Sequence, residues 1–233
     1  MTVDILAFGA HADDVEIGMA GTIAKLSGKG KKVVICDITK AELSSNGTVE
    51  TRQIEAKNAA DILGVYERIT LDLPDRGIMI NDESIGKLVE VIRRYEPTLV
   101  FAPYQKDRHP DHGRVGDLVK EAVFSAKIHK YKPDRFHAHN VQALYYYFIN
   151  GFTQPSFVID IEPFMNTKLT SLKCYTSQFY QRDGVKTPLT EGYLEGIEAR
   201  ERVIGKMVGK KFAEGFLSDT PLVLKDDLLG DFK

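Results

Sequence analysis

Short, nearly uninterrupted apolar runs alternate along this chain with segments whose apolar residues recur at helical spacing. Ile5-Leu6-Ala7-Phe8, Val33 to Ile38, Arg68-Ile69-Thr70-Leu71 and Leu99-Val100-Phe101-Ala102 have the length and the β-branched content of strands. Between the first pair, Ile17, Ala20, Ile23, Ala24 and Leu26 predict a helix that Gly28 or Gly30 can end. A second helix is predicted from Val49 to Leu63 with Gly64 just past its end. A third runs from Asp82 to Tyr95 and is stopped by Pro97. The order β-α-β-α-β-α-β predicts an α/β fold, Rossmann-like, with a mostly parallel sheet and helices on both faces.

Beyond that half, Val115, Leu118, Val119, Ala122 and Val123 predict a fourth helix. Leu144–Ile149 and Phe157–Ile161 read as two further strands. Helices are expected from Glu162 to Thr176 and from Tyr193 to Val208. No repeat, low-complexity segment or linker interrupts the pattern, so residues 1–233 are expected to form one domain.

Composition narrows the class. Hydrophobic residues make up 43% and charged residues 27% of 233 residues, with a formal net charge of −2, as in ordinary globular proteins. Without a basic excess there is no footprint for nucleic acid or an anionic membrane surface. Two cysteines, Cys36 and Cys174, fit a reducing compartment, and Cys36 in its apolar run reads as a small buried hydrophobe. No run reaches the roughly eighteen apolar residues of a membrane span. Met1-Thr2-Val3-Asp4 lacks the basic start of a signal peptide, so a cytoplasmic location is expected.

Candidate chemistry lies in two polar clusters. The first, Gly9-Ala10-His11-Ala12-Asp13-Asp14-Val15-Glu16, follows strand one. Alone it is equally readable as a strand-to-helix turn with Asp13 or Asp14 as N-cap or as part of a metal site that offsets the cost of burying such charges. The second, Pro103 to Arg114, holds His109, Asp111 and His112 and follows strand four. Ligands of such sheets bind outside the carboxyl ends of the strands, so the two clusters converge. That convergence favours the metal site. His11, Asp13, Asp14, His109, Asp111 and His112 can supply two histidines and one carboxylate, with residues left over as base and acid. The set suits metal-assisted hydrolysis of an amide or ester. It also suits a non-haem iron oxygenase, or a metal-binding scaffold without catalysis. Neither Gly-x-Ser-x-Gly nor a Gly-x-Gly-x-x-Gly after strand one is present. Arg52 and Glu55 share a helix face, and spacing alone favours a surface ion pair. The polar connection of residues 39–50 has the length of a functional loop. His129, His137 and His139 read as a solvated loop.

These residues resemble the LmbE-like, or PIG-L-type, zinc-dependent deacetylases of N-acetylglucosamine conjugates. His11-Ala12-Asp13-Asp14 with Glu16 is similar to that family's His-Pro-Asp-Asp motif, with Ala12 in place of proline. His109-Pro110-Asp111-His112 matches its His-x-Asp-His motif. Arg52-Gln53-Ile54-Glu55, Leu63-Gly64, Asp75 and Glu214-Gly215-Phe216 fit the remaining pattern. The resemblance implies His11, Asp14 and His112 as ligands of one Zn2+, with Fe2+ as a possible substitute. It implies Asp13 as general base and His109 as the oxyanion-stabilising acid, with Asp111 hydrogen-bonded to it. Arg52 and Asp75 would hold sugar hydroxyls, Tyr193 would be a mobile tyrosine reaching the oxyanion, and Glu16 would cap the helix or support the site. The implied partner is a small amino-sugar substrate, and the implied assembly a homo-oligomer, a hexamer. Length, Glu42-Leu43, Gly47-Thr48 and Phe157 to Ile161 look most like the bacillithiol-pathway branch, which deacetylates N-acetylglucosaminyl-malate. Other relatives act on free N-acetylglucosamine, chito-oligosaccharides or inositol conjugates.

Overall fold

The computed structural model describes residues 2–132, 135–180 and 184–223. Its elements are β1 (Ile5–Gly9), α1 (Asp14–Ser27), β2 (Val33–Asp37), α2 (Val49–Leu63), β3 (Glu67–Thr70), α3 (Asp82–Tyr95), β4 (Leu99–Pro103) and α4 (Pro110–Ala126). There follow β5 (Ala143–Tyr147), β6 (Phe157–Asp160), α5 (Met165–Lys173), α6 (Thr176–Phe179), α7 (Tyr193–Met207) and β7 (Ala213–Ser218). A seven-stranded sheet in the order β3-β2-β1-β4-β5-β7-β6 runs through the centre. The first five strands in that order are mutually parallel, and β7 lies antiparallel to both β5 and β6. This is the expected single-domain α/β architecture.

The central strands are apolar throughout because both faces are covered. Successive side chains alternate between two cores. Leu6, Phe8, Val34, Cys36, Val100 and Ala102 pack beneath α3 and α4. Ile5, Ala7, Val33, Ile35 and Phe101 pack beneath α1, α2 and Tyr175 on the other face.

Two elements differ from the sequence reading. The expected helix from Glu162 to Thr176 is a single 3-10 turn, Glu162–Phe164, followed by α5 and a separate short α6. Strand β7 gave no apolar pattern. Its Glu214 is fully buried and accepts from Gly21 N–H at 2.9 Å, Thr22 N–H at 2.7 Å and Lys168 Nζ at 2.6 Å. A charged residue at a buried strand position hides the strand from any hydrophobicity count.

Those contacts explain a break inside α1. Met19 has non-helical backbone angles (φ −148°, ψ 20°). The Ile17 carbonyl, which would normally accept from Gly21 N–H, accepts instead from Arg200 Nη2 at 2.6 Å. Side chains from α7 and β7 thus replace a rung of the helix ladder, a recognised cause of kinks. The Asp14–Gly18 turn is thereby held separately from the remainder of α1. Among the described residues, no helix is long and apolar enough to cross a membrane.

Candidate active site

The chain reverses its winding between β1 and β4, which are neighbours in the sheet. The crevice at their carboxyl ends is where both polar clusters meet. It forms a cleft of about 720 Å³ lined by residues that include His11, Asp13, Asp14, His109, His112 and Tyr193. Each cluster reaches into a helix, since Asp14 begins α1 and Pro110-Asp111-His112 form the first turn of α4.

Asp14 is the hinge of the site. Its Oδ1 lies 3.1 Å from His112 Nε2, and its Oδ2 lies 3.6 Å from His11 Nδ1. The other face of His11 meets acids, with Nε2 at 3.2 Å from Asp75 Oδ1 and 3.7 Å from Asp111 Oδ2. Burial pushes His11 down, but Asp111, Asp14 and Asp75 outweigh it and hold the ring well above the usual histidine value. Burial likewise opposes His112, but Asp14 and Asp107 raise it to about 9. Burial pushes Asp14 up, yet the two histidines pull it well below the carboxylate range.

Buried acids facing histidine ring nitrogens form a donor set that a divalent cation can occupy, displacing any protons those nitrogens carry. Two histidines and a carboxylate facing one another match the chemistry of a catalytic zinc site. Two groupings of three converge as whole sets, and neither includes Asp14. The ligand atoms of His11, His109 and His112 lie within 4.8 Å of one another, as do those of His11, Asp75 and Asp111.

Asp13 precedes α1 at φ 112°, a backbone region that non-glycine residues rarely adopt, and its side chain makes no cap hydrogen bond. Burial raises its carboxyl to about 7, against the opposing charge of Arg52. Arg52 lies 3.4 Å away and also donates to the Ala12 carbonyl. It is 2% exposed, so the surface ion pair with Glu55 does not exist. Glu55 accepts instead from Thr176 Oγ1 at 3.0 Å and from Ser177 N–H at 2.7 Å. Helix spacing had placed the two residues on one face, but that face is covered by α6 and its flanks.

The structure rearranges the partner expected for His109. Its Nδ1 accepts from the main-chain N–H of Asp111 at 3.3 Å, capping α4. The Asp111 carboxylate turns away and accepts from Arg76 N–H at 2.8 Å and from Arg76 Nη1 at 3.0 Å. Burial lowers the His109 value, and the positive His112 and His11 add to this. Asp75 reaches the cleft with both oxygens engaged, one by His11 and one by Leu43 N–H at 3.0 Å. The 39–50 loop therefore forms one wall, through Leu43, Ser44 and Ser45.

Tyr193 begins α7 and lines the cleft, with its hydroxyl 3.3 Å from the Ile149 carbonyl and 3.2 Å from Asn150 Oδ1. Glu16 does not cap α1. It accepts from Arg68 Nη1 at 2.5 Å and Tyr175 OH at 2.7 Å, while Arg68 also grips Asp37 with two hydrogen bonds. His137 and His129 are exposed, and His139 pairs with the Pro97 carbonyl at 2.8 Å.

The model of a family described as PIG-L, GlcNAc-PI de-N-acetylase, matches residues 6–123. The chain belongs to the PIG-L family. The PIG-L match spans both histidine clusters, Arg52 and Asp75, while Tyr193 falls beyond it. The chain is 32% identical over 225 residues to the diacetylchitobiose deacetylase of Thermococcus kodakarensis, covering 91% of this chain and 81% of that protein. The crystal structure of a conserved protein from Thermus thermophilus superposes with a TM-score of 0.89 at 33% identity, covering 96% of this chain and 98% of that one. The N,N'-diacetylchitobiose deacetylase from Pyrococcus horikoshii, complexed with an inhibitor, gives 0.82 at 25% identity, covering 91% and 82%. As a PIG-L member the protein is a deacetylase, and its histidine and aspartate cluster is a candidate metal centre.

Proposed function

We propose that this protein is a zinc-dependent hydrolase that removes the N-acetyl group from an N-acetylglucosamine conjugate, with N-acetylglucosaminyl-malate as substrate. The observation that carries the reading is Asp14 facing both His11 and His112 beside the buried Asp13. His11, Asp14 and His112 would hold the metal. Bound there, zinc supplies a water of lowered pKa and polarises the acetamide carbonyl.

The protein's own groups do the rest. Asp13 accepts the proton of the attacking water on its carboxylate, and Arg52 favours the ionised form of that base. His109 accepts at Nδ1, so its proton sits on Nε2 and can hydrogen-bond the developing oxyanion, while the proton that Asp13 takes from the water is passed to the leaving amine. Asp111 orients Arg76 and the far edge of His11 rather than His109. Tyr193 closes the wall opposite. Arg76 and Arg108 on the cleft lining offer cations to a carboxylated aglycone, which supports the malate conjugate.

A second reading, deacetylation of free N-acetylglucosamine or chito-oligosaccharides, is favoured by the identity to the Thermococcus enzyme over most of the chain. The test is acetate release and zinc content measured together across the malate conjugate, an inositol conjugate, the free sugar and chitobiose. The highest kcat/KM is expected with the malate conjugate. Preference for chitobiose would establish the second reading, and no acetate from any of the four would remove both.

A further inference from the structure

We propose that Asp107 is the positioning residue that selects the tautomer of His112, and thereby sets the zinc affinity of the site. The proposal rests on the metal reading above. Asp107 lies in the turn between β4 and α4, two residues before His109. Its Oδ1 is 2.9 Å from His112 Nδ1. The same oxygen accepts from His109 N–H at 2.8 Å and from Asn150 Nδ2 at 2.8 Å. Its Oδ2 accepts from Asn150 N–H at 3.0 Å. An ionised carboxylate only accepts, so His112 Nδ1 is the donor in its pair, and Asn150 Nδ2, 3.4 Å from the same nitrogen, donates to Asp107 Oδ1 at 2.8 Å instead. The neutral ring then carries its lone pair on Nε2, the nitrogen that faces Asp14 Oδ1 at 3.1 Å. A histidine ligand needs that lone pair.

The carboxylate is itself locked. Two main-chain N–H groups and one side-chain amide, drawn from the α4 cap and the segment after β5, fix its plane, and its side chain is 6% exposed. Closing the 107–109 turn needs only the bond to His109 N–H, which leaves the clamp by Asn150 and the alignment on His112 unexplained. Asn150 also accepts from the Tyr193 hydroxyl at 3.2 Å. Asp107 therefore ties a metal-facing histidine to the wall that carries Tyr193.

Asp107→Asn is the discriminating substitution. With its carbonyl in the place of Oδ1 it can keep the turn bond to His109 N–H, but the negative charge that holds the Nδ1 proton of His112 is gone, and its amide N–H group is set against Asn150 N–H. Zinc affinity measured by competition with a chromophoric chelator is expected to fall by about 10- to 100-fold, the scale for removing an outer carboxylate from a ligating histidine. Circular dichroism of the variant should match the parent. Nitrogen NMR of the zinc-loaded parent protein provides a readout that does not depend on the folding of Asp107→Asn: His112, assigned by loss of its signals in His112→Gln, should show a protonated Nδ1 and a metal-bound Nε2. Unchanged zinc affinity in a folded Asp107→Asn protein, or a metal on Nδ1 in the parent, would overturn the proposal alone. Failure of the parent to bind zinc would overturn it together with the metal reading.

Discussion

The proposed chemistry turns on Asp13. Asp13→Asn should lower turnover by at least about a hundredfold, the low end for a general base, while metal analysis still finds zinc. Loss of zinc instead would mean that Asp13 and Asp14 have exchanged roles. Arg52 holds the Asp13 carboxyl down against burial. In Arg52→Gln that charge is gone and the base should titrate higher, so the acid limb of the kcat/KM profile should move to higher pH. An unmoved limb would remove Arg52 from the support of the base. The meeting of the two clusters was legible in the sequence because each is contiguous and follows an apolar strand, whereas the choice of His11, Asp13, Asp14 and His112 among their acids and histidines came from the family resemblance. Asp107 stood in plain view within the second cluster, but what it holds depends on Asn150, which arrives from beyond β5. Arg52 was misjudged for a related reason. Spacing gives the face of a helix and says nothing of what covers that face.

At the scale of elements, α1 shows how much of a helix can be written elsewhere in the chain. Its broken rung is filled by Arg200 and Glu214, with Lys168 bridging Glu214 and Glu201 at 2.6 Å and 2.7 Å. Lys168 is 0% exposed, so Lys168→Met leaves the buried Glu214 without a cation, while Glu201 keeps Arg200 at 2.6 Å. Urea denaturation should show a loss of about 3–5 kcal/mol, the usual scale for breaking a buried pair on one side. Gly18 belongs to the same turn, and a Cβ there would lie 2.0 Å from the Tyr147 ring. The ring is pinned by its hydroxyl on the Phe8 carbonyl at 2.6 Å. Gly18→Ala should therefore cost about 1–3 kcal/mol through overpacking and tilt the turn that presents Asp14. A loss of activity larger than the loss of folded protein would separate the two effects. Apolar periodicity located α1 correctly, but no periodicity records a hydrogen bond supplied by residues that lie four elements or more downstream. The same blindness hid β7.

For the whole molecule, the doubly wound half was readable because parallel strands covered on both faces leave long apolar runs. The antiparallel β7 inserted between β5 and β6 was not, because its pairing partners lie 53 to 73 residues upstream, beyond the reach of any local pattern. The sheet order also has a temporal consequence. β1 and β4 are neighbours, yet two strands and three helices separate them along the chain. A nascent polypeptide with β1 through α3 already emerged owns His11, Asp13 and Asp14 but not His112. Such an intermediate presents two of the three proposed ligands and would have a weaker hold on a metal ion. Loading would have to wait until the first turn of α4 has emerged and β4 has zipped onto β1. Metal bound as proposed would then act as a latch on the completed product, trapping the folded form by mass action. Chelation should accordingly lower the melting temperature, and added zinc should restore it in a concentration-dependent way.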